Sequence, residues 1–251
     1  MIDVHTHILP GIDDGAKDKE EALGILRSLK EQGVKKVVLT PHYYGKKHSP
    51  QQFIERREAA FAEIREELPE GIECYLGAEV HFTPELFVSD GELSALTIQN
   101  TRYLLTELPF ETNWNEALFH RLHRFIRNTE CFPVLAHVER YEEVRRDPNI
   151  LERFIGCGCL VQVTGEAFLE KHTRSLAFAL LQHGYVHFLG SDAHNLTDRP
   201  PIVEAVAGEL RSSGGTDALK WIDENAERML GNYRIRKTQR SKIRRCFGKY
   251  Y

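Results

Sequence analysis

The stretch Ile2-Asp3-Val4-His5-Thr6-His7-Ile8-Leu9-Pro10-Gly11-Ile12-Asp13-Asp14-Gly15 decides the fold. Its first residues, dominated by Ile2 and Val4, make a run too short for a helix that ends in two histidines separated by one residue. Side chains two apart on a strand leave the same face, so His5 and His7 can reach one point in space. A loop carrying Asp13 and Asp14 follows. A strand that delivers ligand-type side chains at its carboxyl end and then leads to a helix is the unit of a parallel α/β fold.

The unit recurs along the chain. Short apolar runs lie at 36–40, 74–78, 103–106, 133–136, 160–163 and 186–189, most rich in Val, Leu and Ile as buried parallel strands are. Between them, 19–32 places Ala22, Ile25, Leu26 and Leu29 on one helical face, with Gly33 as a stop. Segment 52–68 repeats the pattern with Phe53, Ala60, Phe61 and Ile64, and similar patterns run over 116–127, 149–155, 175–183, 202–210 and 217–230. Seven strands, each leading to a helix, predict a distorted (β/α)7 TIM-like barrel; the pattern alone also admits an open doubly wound sheet. No repeat or Pro/Gly/Ser-rich linker precedes residue 234, so one domain is expected there.

Catalytic groups of such folds gather beyond the carboxyl ends of the strands. Strand two ends at His42, strand three at Glu79, strand four at Glu107 and strand five at His137, while strand seven ends in Ser191-Asp192-Ala193-His194. Six of the seven predicted strand ends thus supply a metal-ligand type. Mixed imidazole and carboxylate donors suit Zn²⁺, Mn²⁺ or Fe²⁺ better than Ca²⁺. A carboxylate such as Glu79 can bridge two ions at about 3.5–4 Å, the spacing that clamps attacking and leaving oxygens. Arg140 and Arg199 follow these ligands closely, and guanidinium forks match phosphate oxygens. His48, His81, His120, His123, His172, His183 and His187 read as loop, helix or strand residues without metal geometry. Tyr43, Tyr44, Phe110 and Trp114 either shape an entrance for an aromatic ring or pack over the barrel rim.

Composition narrows the function classes. The chain has 251 residues and a formal charge of −4, which argues against a chain-wide nucleic-acid or membrane surface. The charge is unevenly spread: residues 234–251 carry eight Lys or Arg and no acid, leaving 25 basic and 37 acidic residues in the body. This basic tail reads as a partly disordered end or as a contact for acidic lipid, nucleic acid or a partner. Five irregularly spaced cysteines give no disulfide framework, and with no signal peptide or membrane span the expected place is the cytoplasm.

With these residues in view, His5-Thr6-His7, His42, Glu79, His137 and Asp192-Ala193-His194 resemble the PHP (polymerase and histidinol phosphatase) metal-dependent hydrolases. The stretch from Asp3 to Gly15 is similar, more narrowly, to the manganese-dependent protein tyrosine phosphatases of bacterial capsule and exopolysaccharide operons, the CpsB/YwqE type. The resemblance covers 1–233, whereas 234–251 lies outside the pattern. It implies a PHP barrel with up to three divalent ions, manganese foremost and iron or zinc as alternatives. His5, His7, Glu79 and Asp192 would hold one ion, Glu79, Glu107 and His137 a second, and Asp14, His42 and His194 a third. Arg140 and Arg199 would bind phosphate. The implied substrate is a phosphotyrosine protein, notably a bacterial tyrosine kinase, attacked by a metal-activated hydroxide. In agreement, no cysteine is followed six residues later by arginine, so the usual thiol-phosphate route is missing. Alternatives are a phosphatase of a small metabolite such as histidinol phosphate, a nuclease, a metal-dependent amidase, or a non-catalytic regulator that docks on a kinase.

Overall fold

The computed structural model describes residues 1–83, 86, 89–110, 114–236, 238–246 and 248–251. Its elements, in order, are β1 (Ile2–Thr6), α1 (Lys19–Glu31), β2 (Lys36–Leu39), β3 (His42–Tyr43), α2 (Pro50–Ile64), β4 (Glu73–Leu76), β5 (Glu79–His81), α3 (Asp90–Ser94), β6 (Tyr103–Glu107) and α4 (Glu116–Thr129). There follow β7 (Phe132–Leu135), α5 (Glu142–Arg146), α6 (Leu151–Cys157), β8 (Leu160–Thr164), α7 (Arg174–Gln182), β9 (Phe188–Gly190), α8 (Val203–Ser212), α9 (Thr216–Leu230), β10 (Arg245–Cys246) and β11 (Lys249–Tyr250).

Two of the expected strands are each split in two. The break between β2 and β3 falls at Pro41, which has no N–H to give to a ladder. Pairing resumes across the gap, where the Gly77 N–H donates to Leu39 and the Glu79 N–H to Pro41. The strands form parallel sheets ordered β1-β2-β4 and β3-β5-β6-β7-β8-β9. Closure comes at the ends of the chain: the Asp192 N–H donates to His5 O and the His7 N–H to Ala193 O, both at 2.9 Å. Seven parallel strand positions therefore surround one axis as a distorted barrel, which excludes the open doubly wound sheet.

Local chemistry sets the helices. Asp18 caps α1 by accepting from the Glu21 N–H, and Ile25, Leu26 and Leu29 are buried. Each such side chain contributes roughly 1.5–3 kcal/mol on burial. Ser49 and Gln52 form a reciprocal capping box and Pro50 takes the first turn, so α2 begins earlier than its apolar pattern indicates. Helices α3 and α5 have five residues each, too few for a periodic apolar face, and were not expected from sequence.

Val4, Val38, Tyr103, Leu105, Val134 and Phe188 fill the barrel, with Ala226 and Met229 of α9 packed against them. Helix α9 closes the amino-terminal pole: Asp223 accepts from the Ile2 N–H, Asn225 donates to His187 O, and Glu227 pairs with Lys36. The opposite pole is left open for chemistry. Beyond α9 the basic segment runs along the outside of α6 and α7. Thr238 donates to Gly184 O, Arg240 pairs with Glu152, Ile243 is buried, and β10 and β11 form a small hairpin. Among the described residues, no helix is long and apolar enough to cross a membrane.

His187 lies buried beneath β9, its Nδ1 accepting from the Val161 N–H at 3.1 Å. Burial, reinforced by Arg240, pushes its pKa down from 6.5 to about 3. The unfolded chain therefore binds the extra proton first, and stability falls as pH drops below about 6.5. Between pH 7 and pH 5 this histidine alone should remove about 2 kcal/mol. Urea titrations at the two pH values should show a correspondingly smaller loss for His187→Gln.

Candidate metal centre

The strand ends deliver their side chains to one buried cluster at the carboxyl pole. His5 and His7 come from β1 and the residue after it, His42 from β3, Glu79 from β5, Glu107 from β6 and His137 from the turn after β7. Asp192 and His194 follow β9, and Asp14 reaches in from the loop before α1. His5 Nε2 lies 3.1 Å from His7 Nε2. Glu79 Oε2 is 3.3 Å from His5, 3.2 Å from His7 and 3.0 Å from His42, while its Oε1 is 2.9 Å from His137. Three groups bring ligand atoms within 4.8 Å of one another: His5, His7 and Asp192; Glu79, Glu107 and His137; and His7, Asp14, His42 and His194. All nine expected ligand positions are brought together. The grouping differs from the implied one in that His7 faces two of the three sets.

The donor set fits cations. Two imidazole nitrogens 3.1 Å apart can share at most one proton between them, and the carboxylates of Glu79 and Asp192 point at the same space. Glu79 Oε2 and His42 Nδ1 approach closely but out of alignment, so each lacks a hydrogen-bond partner. Burial opposes charge on His7, yet the close carboxylates of Asp13, Asp192 and Glu79 hold its pKa well above the usual value. Burial likewise opposes ionised Glu79, and His5 nearby takes it well below the carboxylate range. The cluster thus demands positive charge at its centre, which protons or divalent ions can supply.

Backbone strain collects here. His137 and Asp192 sit in the left-handed region with φ of 35° and 55°. Non-glycine residues there cost on the order of 1–3 kcal/mol each, and the barrel rim holds them in place. The next layer of side chains was largely missed from sequence. Asp13 meets His7 Nδ1 at 2.8 Å and accepts from the His42 backbone N–H at 2.9 Å, fixing one imidazole and the main chain of a second histidine. Burial works against its charge, but the His7 contact brings its pKa down to about 2. Gln162 Oε1 accepts from the His137 N–H at 2.7 Å and lies 3.3 Å from His5 Nδ1. His81, expected to stand apart from the metal geometry, has its Nδ1 2.8 Å from Glu107. Its signal was available, since it stands two residues from Glu79 on β5 and shares that face.

Arg140 and Arg199 both reach the cluster and converge on Asp192 Oδ2, Arg140 at 2.7 Å. Arg199 Nη1 also donates to His194 Nε2 at 2.8 Å. Their side chains stay about one-third exposed (31% and 36%), so an incoming anion can reach them. The four aromatics divide. Tyr44 lies 5.4 Å from the His42 ring, and Phe110 stacks on His137 at 5.5 Å with 44% exposure. Tyr43 is instead fully buried against Phe53, and Trp114 packs on Tyr141 and Phe154. Beside Tyr44, a cavity of about 440 Å³ is lined by Asp13, Asp14, His42 and Lys47.

Residues 1–231 match the model of the capsular polysaccharide synthesis family CpsB/CapC. The chain belongs to this family. Among CpsB/CapC relatives, tyrosine-protein phosphatase YwqE of Bacillus subtilis is 29% identical over 99% of this chain and 99% of its own length. Tyrosine-protein phosphatase CpsB of Streptococcus agalactiae is 30% identical over 94% of this chain and 100% of its own. A crystal structure from work on YwqE of Bacillus subtilis and CpsB of Streptococcus pneumoniae, described as unique metal-dependent tyrosine phosphatases, matches with a TM-score of 0.85. It is 26% identical and covers 98% of this chain and 100% of that chain. The CpsB/CapC barrel is therefore the fold observed here.

One glycine is required by this packing. A Cβ on Gly15 would stand 1.9 Å from His7 O, whereas one on Gly156 in α6 would meet nothing within 4 Å. Gly15→Ala should cost about 1–3 kcal/mol in urea denaturation through overpacking. Gly156→Ala should be neutral or stabilising by up to about 1 kcal/mol.

Proposed function

We propose that this protein is a metal-dependent protein tyrosine phosphatase. The observation that carries the reading is one pole gathering nine imidazole and carboxylate groups of ligand type, most of them buried and Asp14 exposed, beside two partly exposed arginines. Membership in CpsB/CapC, whose relatives carry the name tyrosine-protein phosphatase, supports it. His5, His7, Glu79 and Asp192 would hold one divalent ion, Glu79, Glu107 and His137 a second, and Asp14, His42 and His194 a third, with manganese foremost and iron or zinc as alternatives. Glu79 would bridge, since its two oxygens face different histidines. Bound ions acidify a water near neutral pH and neutralise charge on phosphoryl oxygens.

The chain's own groups do the rest. Arg140 and Arg199 turn from Asp192 toward the equatorial oxygens of the phosphoryl group and stabilise charge that grows there. Asp13 and Gln162 hold His7, His42 and His137 in register. Tyr44 and Phe110 flank the substrate ring. Tyrosine leaves with a phenol pKa of about 10, so a strong general acid is dispensable. The substrate is a phosphotyrosine protein, a bacterial tyrosine kinase of capsule or exopolysaccharide synthesis, met in the cytoplasm. Residues 1–233 are the catalytic domain and 234–251 an appendage to it.

Metal-stripped protein should release no phosphate from a phosphotyrosine peptide until Mn²⁺ is added, and His7→Ala should stay inactive with it. Failure of the folded, metal-loaded protein on this peptide, with turnover of histidinol phosphate, would replace the tyrosine reading with the metabolite one. Arg140→Gln and Arg199→Gln should each lower kcat/KM by about 10²–10³ while keeping bound metal, as loss of a charge-stabilising donor does. Asp13→Asn should instead weaken Mn²⁺ binding by about 10–100-fold in chelator competition.

A further inference from the structure

The basic segment ends beside the catalytic pole. Tyr250 OH donates to Arg145 O at 2.5 Å, the Tyr250 N–H donates to Ser175 Oγ at 3.1 Å, and Arg245 Nη1 reaches Arg145 O at 3.5 Å. Arg145 in turn donates to the carbonyl of Glu139, the neighbour of Arg140, at 3.0 Å. Arg140 and Arg145 share the wall of a cavity of about 180 Å³. The hairpin is thus joined to the rim by a short series of direct contacts.

Its cations point outward. Arg244, Arg245 and Lys249 are exposed and have no ion pair among the described residues. Three nearby acids are engaged elsewhere, Glu142 with Arg146, Glu152 with Arg240 and Glu170 with His172, while Glu139 and Glu166 stay on the wall of the cavity beside Arg140. Ile243 is buried beneath the hairpin and Asn149 bonds its backbone on both sides, at 2.9 and 3.0 Å, so the charges are held at a fixed place. The body of the chain is strongly acidic, and this edge adds fixed positive charge to that of Arg140 and Arg199 at the pole that a phosphorylated polypeptide would approach.

We propose that the hairpin of β10 and β11, with Arg244, Arg245 and Lys249 as its cations, is a docking surface for an acidic polypeptide segment flanking the phosphotyrosine, and that it selects acidic or multiply phosphorylated proteins over small phosphate esters. The proposal rests on the phosphatase reading for its biological sense, but docking is measurable without turnover. Charge complementarity favours a polypeptide over a lipid surface because the cations sit at the substrate rim, beside the phosphate-facing arginine. Opposed charge at such a rim raises encounter rates by about 10–10³-fold and is weakened by salt.

The test uses the full chain and a variant carrying Arg244→Glu, Arg245→Glu and Lys249→Glu, with Arg244→Gln, Arg245→Gln and Lys249→Gln as a milder second set. Fluorescence anisotropy with a peptide bearing one phosphotyrosine among glutamates should show binding at least about tenfold weaker in the charge-reversed protein. Binding by the wild type should fall as salt rises. With Mn²⁺, kcat/KM for that peptide should drop through KM, while p-nitrophenyl phosphate is turned over within about twofold of wild type. Equal losses on both substrates, or unchanged peptide binding, would overturn the proposal. So would wild-type binding to vesicles of 30% phosphatidylserine that these substitutions abolish while peptide binding persists. If no ester is hydrolysed but peptide binding still depends on the hairpin, the phosphatase reading fails and the docking surface stands.

Discussion

The carboxylate of Glu79 is surrounded by imidazoles at 3.0–3.3 Å on one oxygen, and its other oxygen meets His137. Nothing apolar could take this position, because the imidazoles of His5, His7, His42 and His137 all face it, and of the other carboxylates Asp192 meets only the first two. Removing such a buried group leaves its neighbours unpaired, which is costly in a low-dielectric interior. The barrel rim is built to hold this arrangement. Asp13 braces the His7 ring and the His42 backbone from outside, Gln162 holds the His137 backbone, and the backbone at His137 and Asp192 accepts an unfavourable conformation so that their side chains turn inward.

The two poles divide the work of the fold. At the amino-terminal pole, α9 seals the barrel with Ala226 and Met229 and with polar contacts to the first residues of β1 and β2. That end has ordinary packing and few groups that demand a ligand. At the other end, loops carry the strain and the unmatched charge. Stability drawn from the sealed pole and the helical layers holds a site that is itself unfavourable in the absence of cations.

Much of this was legible in the residues. The alternation of short apolar runs with amphipathic stretches located all seven barrel strand positions and, among the described residues, seven of the nine α-helices, because buried strands and packed helices imprint their period on the chain. The nine ligand-type residues stand at or just beyond strand ends, and parallel folds bring those ends to one pole, so position in sequence predicted position in space. What escaped was set by tertiary contact. Gln162 lies inside a strand and differs from a core residue only in what faces it. Tyr43 and Tyr44 are neighbours in sequence yet point to the core and to the site, since strand side chains alternate. The short helices α3 and α5 carry no periodic signal. The docking of Ile243 depends on a single buried side chain within a basic stretch, too little to register as a pattern.

The seam that closes the barrel joins the beginning of the chain to its far end. Asp3 accepts from the Ser191 N–H across 188 residues, and His5 and His7 bond to the backbone of Asp192 and Ala193. A growing polypeptide leaving the ribosome therefore carries its first two histidines for most of synthesis before their partners exist. The centre is assembled late, by contacts that join distant parts of the chain and cost much loop entropy to form. Until then β1 is a short strand with an open edge, and a chain cut before residue 190 lacks the segment that completes the metal pole.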